Sequence, residues 1–130
     1  MVIFPGNRKE HALNAARAAM GIHHRTLQIN EELKGRIDPV QVNMGINSGT
    51  ASVGITRFNG ATGVRMTYTA TGPVTNLAAR IASAAKNGDI LVGPETAKRI
   101  KEENPLYDRG AMAFKNVKEK VAVFSLLRAD

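Results

Sequence analysis

A Gly72-Pro73 corner, set between a β-type alternation and a helical repeat, constrains this chain more than any other feature. Ahead of it, Met66–Thr71 reads as a short β-segment, and behind it Leu77, Ala78, Ile81 and Ala82 recur with helical spacing. Proline in the first helical turn costs no bond, because the first amides of a helix have no intrahelical acceptor. The stretch Arg65–Arg80 therefore predicts strand, corner and helix, the helix running to about Ala85 and closed by Asn87-Gly88. Asn76 and Arg80 lie four residues apart and share one face of that helix. A carboxamide and a guanidinium one turn apart near a helix start are donors suited to a sugar and a phosphate. An ordinary amphipathic helix with two polar surface groups accounts for the same spacing.

The remaining elements follow from periodicity and breakers. Met1–Phe4 is apolar and predicts a strand stopped by Pro5-Gly6. Ala12, Leu13, Ala16, Met20, His23, Leu27 and Ile29 or Leu33 predict a helix from about Lys9 to Lys34, closed by Gly35 and Asp38-Pro39. Val40–Asn47 alternates and predicts a half-buried strand. Ser48-Gly49 then turns the chain and Thr50–Thr56 returns, giving a hairpin, with Phe58–Gly63 as a loop. Glycines 45, 49 and 54 mark bends or close approaches. Asp89–Val92 predicts a short buried strand, and Gly93-Pro94-Glu95 opens a helix to about Glu103. Two strands finish the chain, about Tyr107–Phe114 and Lys120–Leu127. The class is α+β, with a mostly antiparallel sheet and flanking helices, in one domain over residues 1–130.

Composition narrows function only in part. Without cysteine there is neither a disulfide framework nor a thiolate metal site, which fits a reducing, cytoplasmic setting. No apolar run reaches the length of a membrane span. A formal charge of +7 suits nucleic acid, an anionic surface or a phosphorylated small molecule. The basic residues are scattered and the aromatics too few to interleave with them, which argues against nucleic acid. His11, His23 and His24 lack partners at metal-ligand spacing and read as helix-surface or edge residues.

Several separated motifs agree with one family. Gly45-Ile46-Asn47-Ser48-Gly49, Val53-Gly54, Arg65–Thr69, Gly72, Asn76-Leu77-Ala78-Ala79-Arg80 and Gly88–Val92, in that order and spacing, resemble the catalytic domain of class III adenylyl and guanylyl cyclases. The resemblance implies a ferredoxin-like cyclase fold lacking its first strand and helices. It also implies cyclisation of ATP or GTP to the 3′,5′-cyclic monophosphate with release of pyrophosphate, aided by two Mg2+ or Mn2+ ions. Carried onto this sequence, Asn76 would orient the ribose and Arg80 would stabilise charge on the α-phosphate. Lys115 lies where the family carries a lysine for the terminal phosphates, and a solvated loop lysine fits it equally. Thr69 stands where many adenylyl cyclases read the adenine amino group with an aspartate. Its hydroxyl both accepts and donates, so it separates purines less decisively than a carboxylate.

The departures are equally specific. The family's two metal aspartates would fall ahead of Met1, and Asp38, Asp89, Asp108 and Asp130 sit in other contexts. Asn43 stands where some members carry arginine. Because family active sites lie between two subunits, the expected partner is a second copy, a swapped dimer or an intact cyclase chain. A catalytically silent dimerisation or regulatory module is the alternative, as is guanylate cyclase specificity.

Overall fold

The computed structural model describes residues 1–128, without the side chains of residues 56, 58 and 65–69. Its elements in chain order are α1 (Arg8–Glu32), β1 (Met44–Ile46), β2 (Ser52–Gly60), β3 (Gly63–Thr71), α2 (Pro73–Ala84), β4 (Ile90–Val92), α3 (Pro94–Ile100), β5 (Tyr107–Met112) and β6 (Val121–Ser125). Four strands form one sheet in the order β1-β4-β6-β5, and β2 and β3 pair only with each other. The β1–β4 pair is parallel and every other pair antiparallel. This is the expected α+β class with a mostly antiparallel sheet.

Alternation along the short β4 divides the core in two. Ile90 and Val92 join Ala12, Ala16, Ala19, Ala97 and Ile100 in one cluster, so α1 and α3 cover that face. Leu91 joins Ile81, Ala85 and Val123 on the other face, beneath α2. Three layers result, with the sheet in the middle. Asn7 starts α1 where the first periodic residues predict it. Its Oδ1 accepts from the Glu10 amide at 2.9 Å, and its Nδ2 donates to the Glu10 carboxylate at 2.9 Å.

Three expectations are corrected. Met1–Phe4 is not a strand. It has no ladder partner among the described residues, and Met1 and Val2 are largely exposed. A β-segment exists by virtue of its pairing, whatever its apolar content. Val40–Asn47 is strand only at Met44–Ile46, because the Asn30 carboxamide takes both backbone groups of Val40 (2.8 and 2.7 Å) and ties it to α1. β2 does not return along β1. It continues to Gly60 and pairs with β3 across Ala61-Thr62, so residues expected as a loop are largely ladder. The helix expected from about Lys9 to Lys34 is α1, and its apolar repeat is buried only in its N-terminal half, at Ala12, Ala15, Ala16 and Ala19, while Met20 and Leu27 are exposed. A 25-residue helix spans about 37 Å, whereas the three- to six-residue strands beneath it span roughly 10–20 Å. Its second half overhangs the sheet.

His11 is also less peripheral than expected. It is half-buried between α1 and α3, with Nδ1 3.0 Å from the Phe4 carbonyl and Nε2 2.9 Å from Arg99 Nη1. Arginine only donates, so Nε2 accepts and Nδ1 carries the proton. Arg99 Nε in turn donates to Glu95 at 3.2 Å.

Candidate functional site

Helix α2 carries the two central candidates, and its placement comes from two glycines. Gly72 precedes the helix with φ +112°, a conformation that side chains rarely adopt, and its carbonyl accepts from the Asn76 amide at 3.0 Å. Gly45, in the middle of β1, faces the helix body. A Cβ there would fall 2.7 Å from the Ala82 Cα and 3.0 Å from the Ala78 carbonyl oxygen. The helix backbone therefore rests directly on the strand backbone. Gly49 continues this seat, since a Cβ on it would meet the Val74 side chain at 2.7 Å. Ser48, expected to turn a hairpin, bonds instead to the buried Thr96 hydroxyl of α3 at 2.7 Å.

With Ile81 buried and Leu77 and Ala78 half-buried, the opposite face of α2 is turned outward. Asn76 and Arg80 lie on it one turn apart, both exposed. No carboxylate is paired with Arg80 among the described residues. Thr69 sits on β3, opposite Gly54 and three residues before the Gly72 corner, and its side chain lies outside what is described. Lys115 is exposed in the turn after β5. The preceding Phe114 packs against the α2-side cluster of Ile81, Ala85, Leu91 and Val123, so Lys115 emerges from the layer that carries the helix. The structure thus joins Asn76 and Arg80 directly. Thr69 is linked through the corner and Lys115 through the core; among the described residues no hydrogen bond connects Lys115 to the pair.

The site is a helix face, not an enclosed cavity. One surface groove follows Asn7 to Arg17 and another lies between His23, Leu27 and Val40, and neither includes Asn76, Arg80 or Lys115. Donors on an open face bind a phosphorylated ligand weakly until a second surface covers it, because water screens the charges.

The described residues do not fit a divalent-metal site. No group of three His, Cys, Asp or Glu among them could hold an ion. Asp89 is committed elsewhere: its two oxygens receive Arg109 at 3.0 and 3.1 Å, and one also receives the Lys86 amide at 3.1 Å. Burial pushes its carboxyl up, but the Arg109 guanidinium and the Lys86 amide outweigh that and hold it below the usual carboxylate range. Asp108 accepts from the Gly110 amide at 2.7 Å, Asp38 is exposed, and Asp130 lies outside the described residues. Asn43 accepts from the Gly88 amide at 2.7 Å and shapes the turn before β4.

The family is decided by sequence. The pattern of the adenylate and guanylate cyclase catalytic domain matches residues 1–128. The chain belongs to this family. Among solved structures, this cyclase domain is similar to the adenylyl cyclase CyaB from P. aeruginosa. The two share 33% identity and a TM-score of 0.73, over 95% of this chain and 62% of that one. It also resembles the guanylyl cyclase Cya2 in fold, at 23% identity and TM-score 0.74, over 93% of this chain and 60% of that one. An adenylate/guanylate cyclase/hydrolase from Silicibacter pomeroyi shares the fold at 21% identity and TM-score 0.67, over 91% and 62% of the respective chains. The chain thus spans less than two thirds of the length of these structures. A search of curated protein sequences returned no match. No helix among the described residues is long and apolar enough to cross a membrane.

Sequence reasoning singled out Asn76, Arg80, Thr69 and Lys115 but gave no role to the groups that seat their helix. The glycine spacing 45, 49 was the available signal, and the close approach expected there is what the structure has. Gly54, marked on the same grounds, has open space around it.

Proposed function

We propose that residues 1–130 act as part of one nucleotide cyclase catalytic domain that converts ATP to 3′,5′-cyclic AMP and pyrophosphate. In this reaction the ribose 3′-oxygen loses its proton and bonds to the α-phosphorus, as the bond to the pyrophosphate oxygen breaks. Asn76 bonds the ribose and holds its 3′-oxygen in line, and Arg80 stabilises charge on the α-phosphate as it grows. Lys115 meets the terminal phosphates and Thr69 the purine edge. The observation that carries this reading is the pair Asn76 and Arg80, exposed one turn apart on a helix seated against Gly45.

Class III cyclases generally use Mg2+ or Mn2+, and the described residues do not assemble a site for these ions. The ligands for these ions would then be supplied from outside the described residues. A second copy or a swapped dimer would cover the open α2 face, and an intact cyclase chain would both cover it and bring the metal ligands, in the cytoplasm. The preference for adenine is supported by the 33% identity to an adenylyl cyclase. A catalytically silent module that keeps the cyclase fold is the second reading, supported by the lack of a metal-ligating cluster among the described residues.

The test is complementation. The chain is mixed with a cyclase that retains its metal aspartates but has lost its own clamp asparagine and arginine, and cyclic nucleotide is measured from ATP and from GTP with Mn2+. Cyclic AMP in excess of cyclic GMP, abolished by Arg80→Ala in this chain, is the expected result. No product from either nucleotide would favour the silent module.

A further inference from the structure

Asn47 is half-buried just beyond the end of β1 and is confined on two sides. Its Nδ2 donates to the Val74 carbonyl, in the first turn of α2, at 3.0 Å. Its Oδ1 lies against Gly93, where even a Cβ would come within 2.6 Å of it. Gly93 is itself fixed, because its amide donates to the Ile46 carbonyl at 3.0 Å, while its carbonyl accepts from Ala97 in α3. The carboxamide therefore fills a slot between the β4–α3 junction and the start of α2. A carbonyl oxygen has two lone pairs, so Val74 can accept from Asn47 and still serve the helix. Two residues beyond Val74 stands Asn76, whose amide makes the first bond of the helix to Gly72.

We propose that Asn47 is a positioning residue for the clamp. Its bond to Val74 fixes the angle at which the first turn of α2 leaves the Gly72 corner, and so the direction in which Asn76 and Arg80 point. Gly45 sets the depth of the helix on the sheet at Ala78 and Ala82, while rotation of its first turn is opposed by undirected packing such as that of the Val74 side chain on Gly49. Asn47 grips the helix about two turns away, between Val74 and Ala82, and removes that rotation. An in-line attack tolerates little misplacement, so a small tilt of the helix penalises the transition state more than ground-state binding. This inference rests on the reading of Asn76 and Arg80 as the clamp.

The decisive variant is Asn47→Asp, which keeps the shape but cannot donate to Val74. Asn47→Ala serves if the aspartate prevents folding. Asn47→His restores a donor on the same Cγ branch. Two measurements are made: turnover in the complemented cyclase, and deuterium exchange of the Asn76 amide in this chain. Asn47→Asp should lower kcat on the order of tenfold while KM stays within about twofold. It should speed exchange at Asn76 by a similar factor, and Asn47→His should recover much of both. A loss of folded protein alone would also lower apparent kcat at unchanged KM, so turnover is referred to the folded fraction. Such a loss would speed exchange at core amides such as Ile90 as much as at Asn76, and that outcome would count against the inference. Unchanged kcat and unchanged exchange in Asn47→Asp would overturn the inference. Arg80→Ala separates the two ideas. If it leaves turnover intact, the clamp reading fails, while faster exchange in Asn47→Asp would still uphold the positioning of the helix.

Discussion

Arg109 on β5 holds Asp89 by two parallel hydrogen bonds of 3.0 and 3.1 Å, fastening the turn after α2 to the far strand of the sheet. Both side chains are mostly shielded from water. The pair closes the C-terminal end of the clamp helix. Because the folded carboxyl lies below its usual range, the stability it adds is fully present above the ordinary aspartate pKa and is lost as pH falls through the depressed folded value. Thermal melts from neutral to acidic pH should show that loss. Asp89→Asn should flatten the acidic limb and cost about 1–3 kcal/mol at neutral pH.

Gly45→Ala introduces one methyl group with nowhere to go, since the atoms it meets are the backbone of Ala82 and Ala78. The helix must lift from β1. A loss of about 1–3 kcal/mol or more is expected, read as a lower denaturant midpoint at unchanged slope. Gly54→Ala, where nothing lies within 4 Å, is the matched control and should fall within about 0.5 kcal/mol of the parent.

Arg80→Ala and Asn76→Ala should do the reverse. Both side chains are exposed, so stability should change by no more than about 0.5 kcal/mol. In the complemented cyclase each should lower turnover on the order of 10²-fold. Normal activity in both variants would remove these residues from the site.

The chain by itself, supplied with ATP and Mn2+, should form no cyclic AMP above background. Robust turnover would mean that its own residues bind the metal after all, and would give Asp89 or Asp108 a second role beside the hydrogen bonds that occupy them in the fold.

How far the sequence reached depended on whether a feature was local. The Gly72-Pro73 corner, α2, β4, α3 and the β5–β6 pair were legible because capping, periodicity and breakers act within a few residues. Partner choice is not local. Thr50–Thr56 alternates as well beside Val40–Asn47 as beside β3, and nothing in its own residues says which strand it meets. Ser48-Gly49 has turn chemistry, yet Ser48 is taken up by Thr96 and Gly49 by Val74, contacts made 48 and 25 positions along the chain. Met20 and Leu27 show the same limit, since the repeat of α1 carries no information on where the sheet beneath it ends. For the site, the motif order marked Asn76 and Arg80, whereas the slot that holds Asn47 exists only once three elements have met.

The seat of α2 on Gly45 separates what the fold needs from what the chemistry needs. The residues that hold the helix are inside, and those that would act on a nucleotide are outside and contribute little to holding it. If Arg80 acts as proposed, a descendant of this domain could abandon catalysis by a single change there and keep its shape intact. Retirement to a purely regulatory life would leave no scar in the core. In such a lineage position 45 would stay closed to every other amino acid long after position 80 had begun to drift.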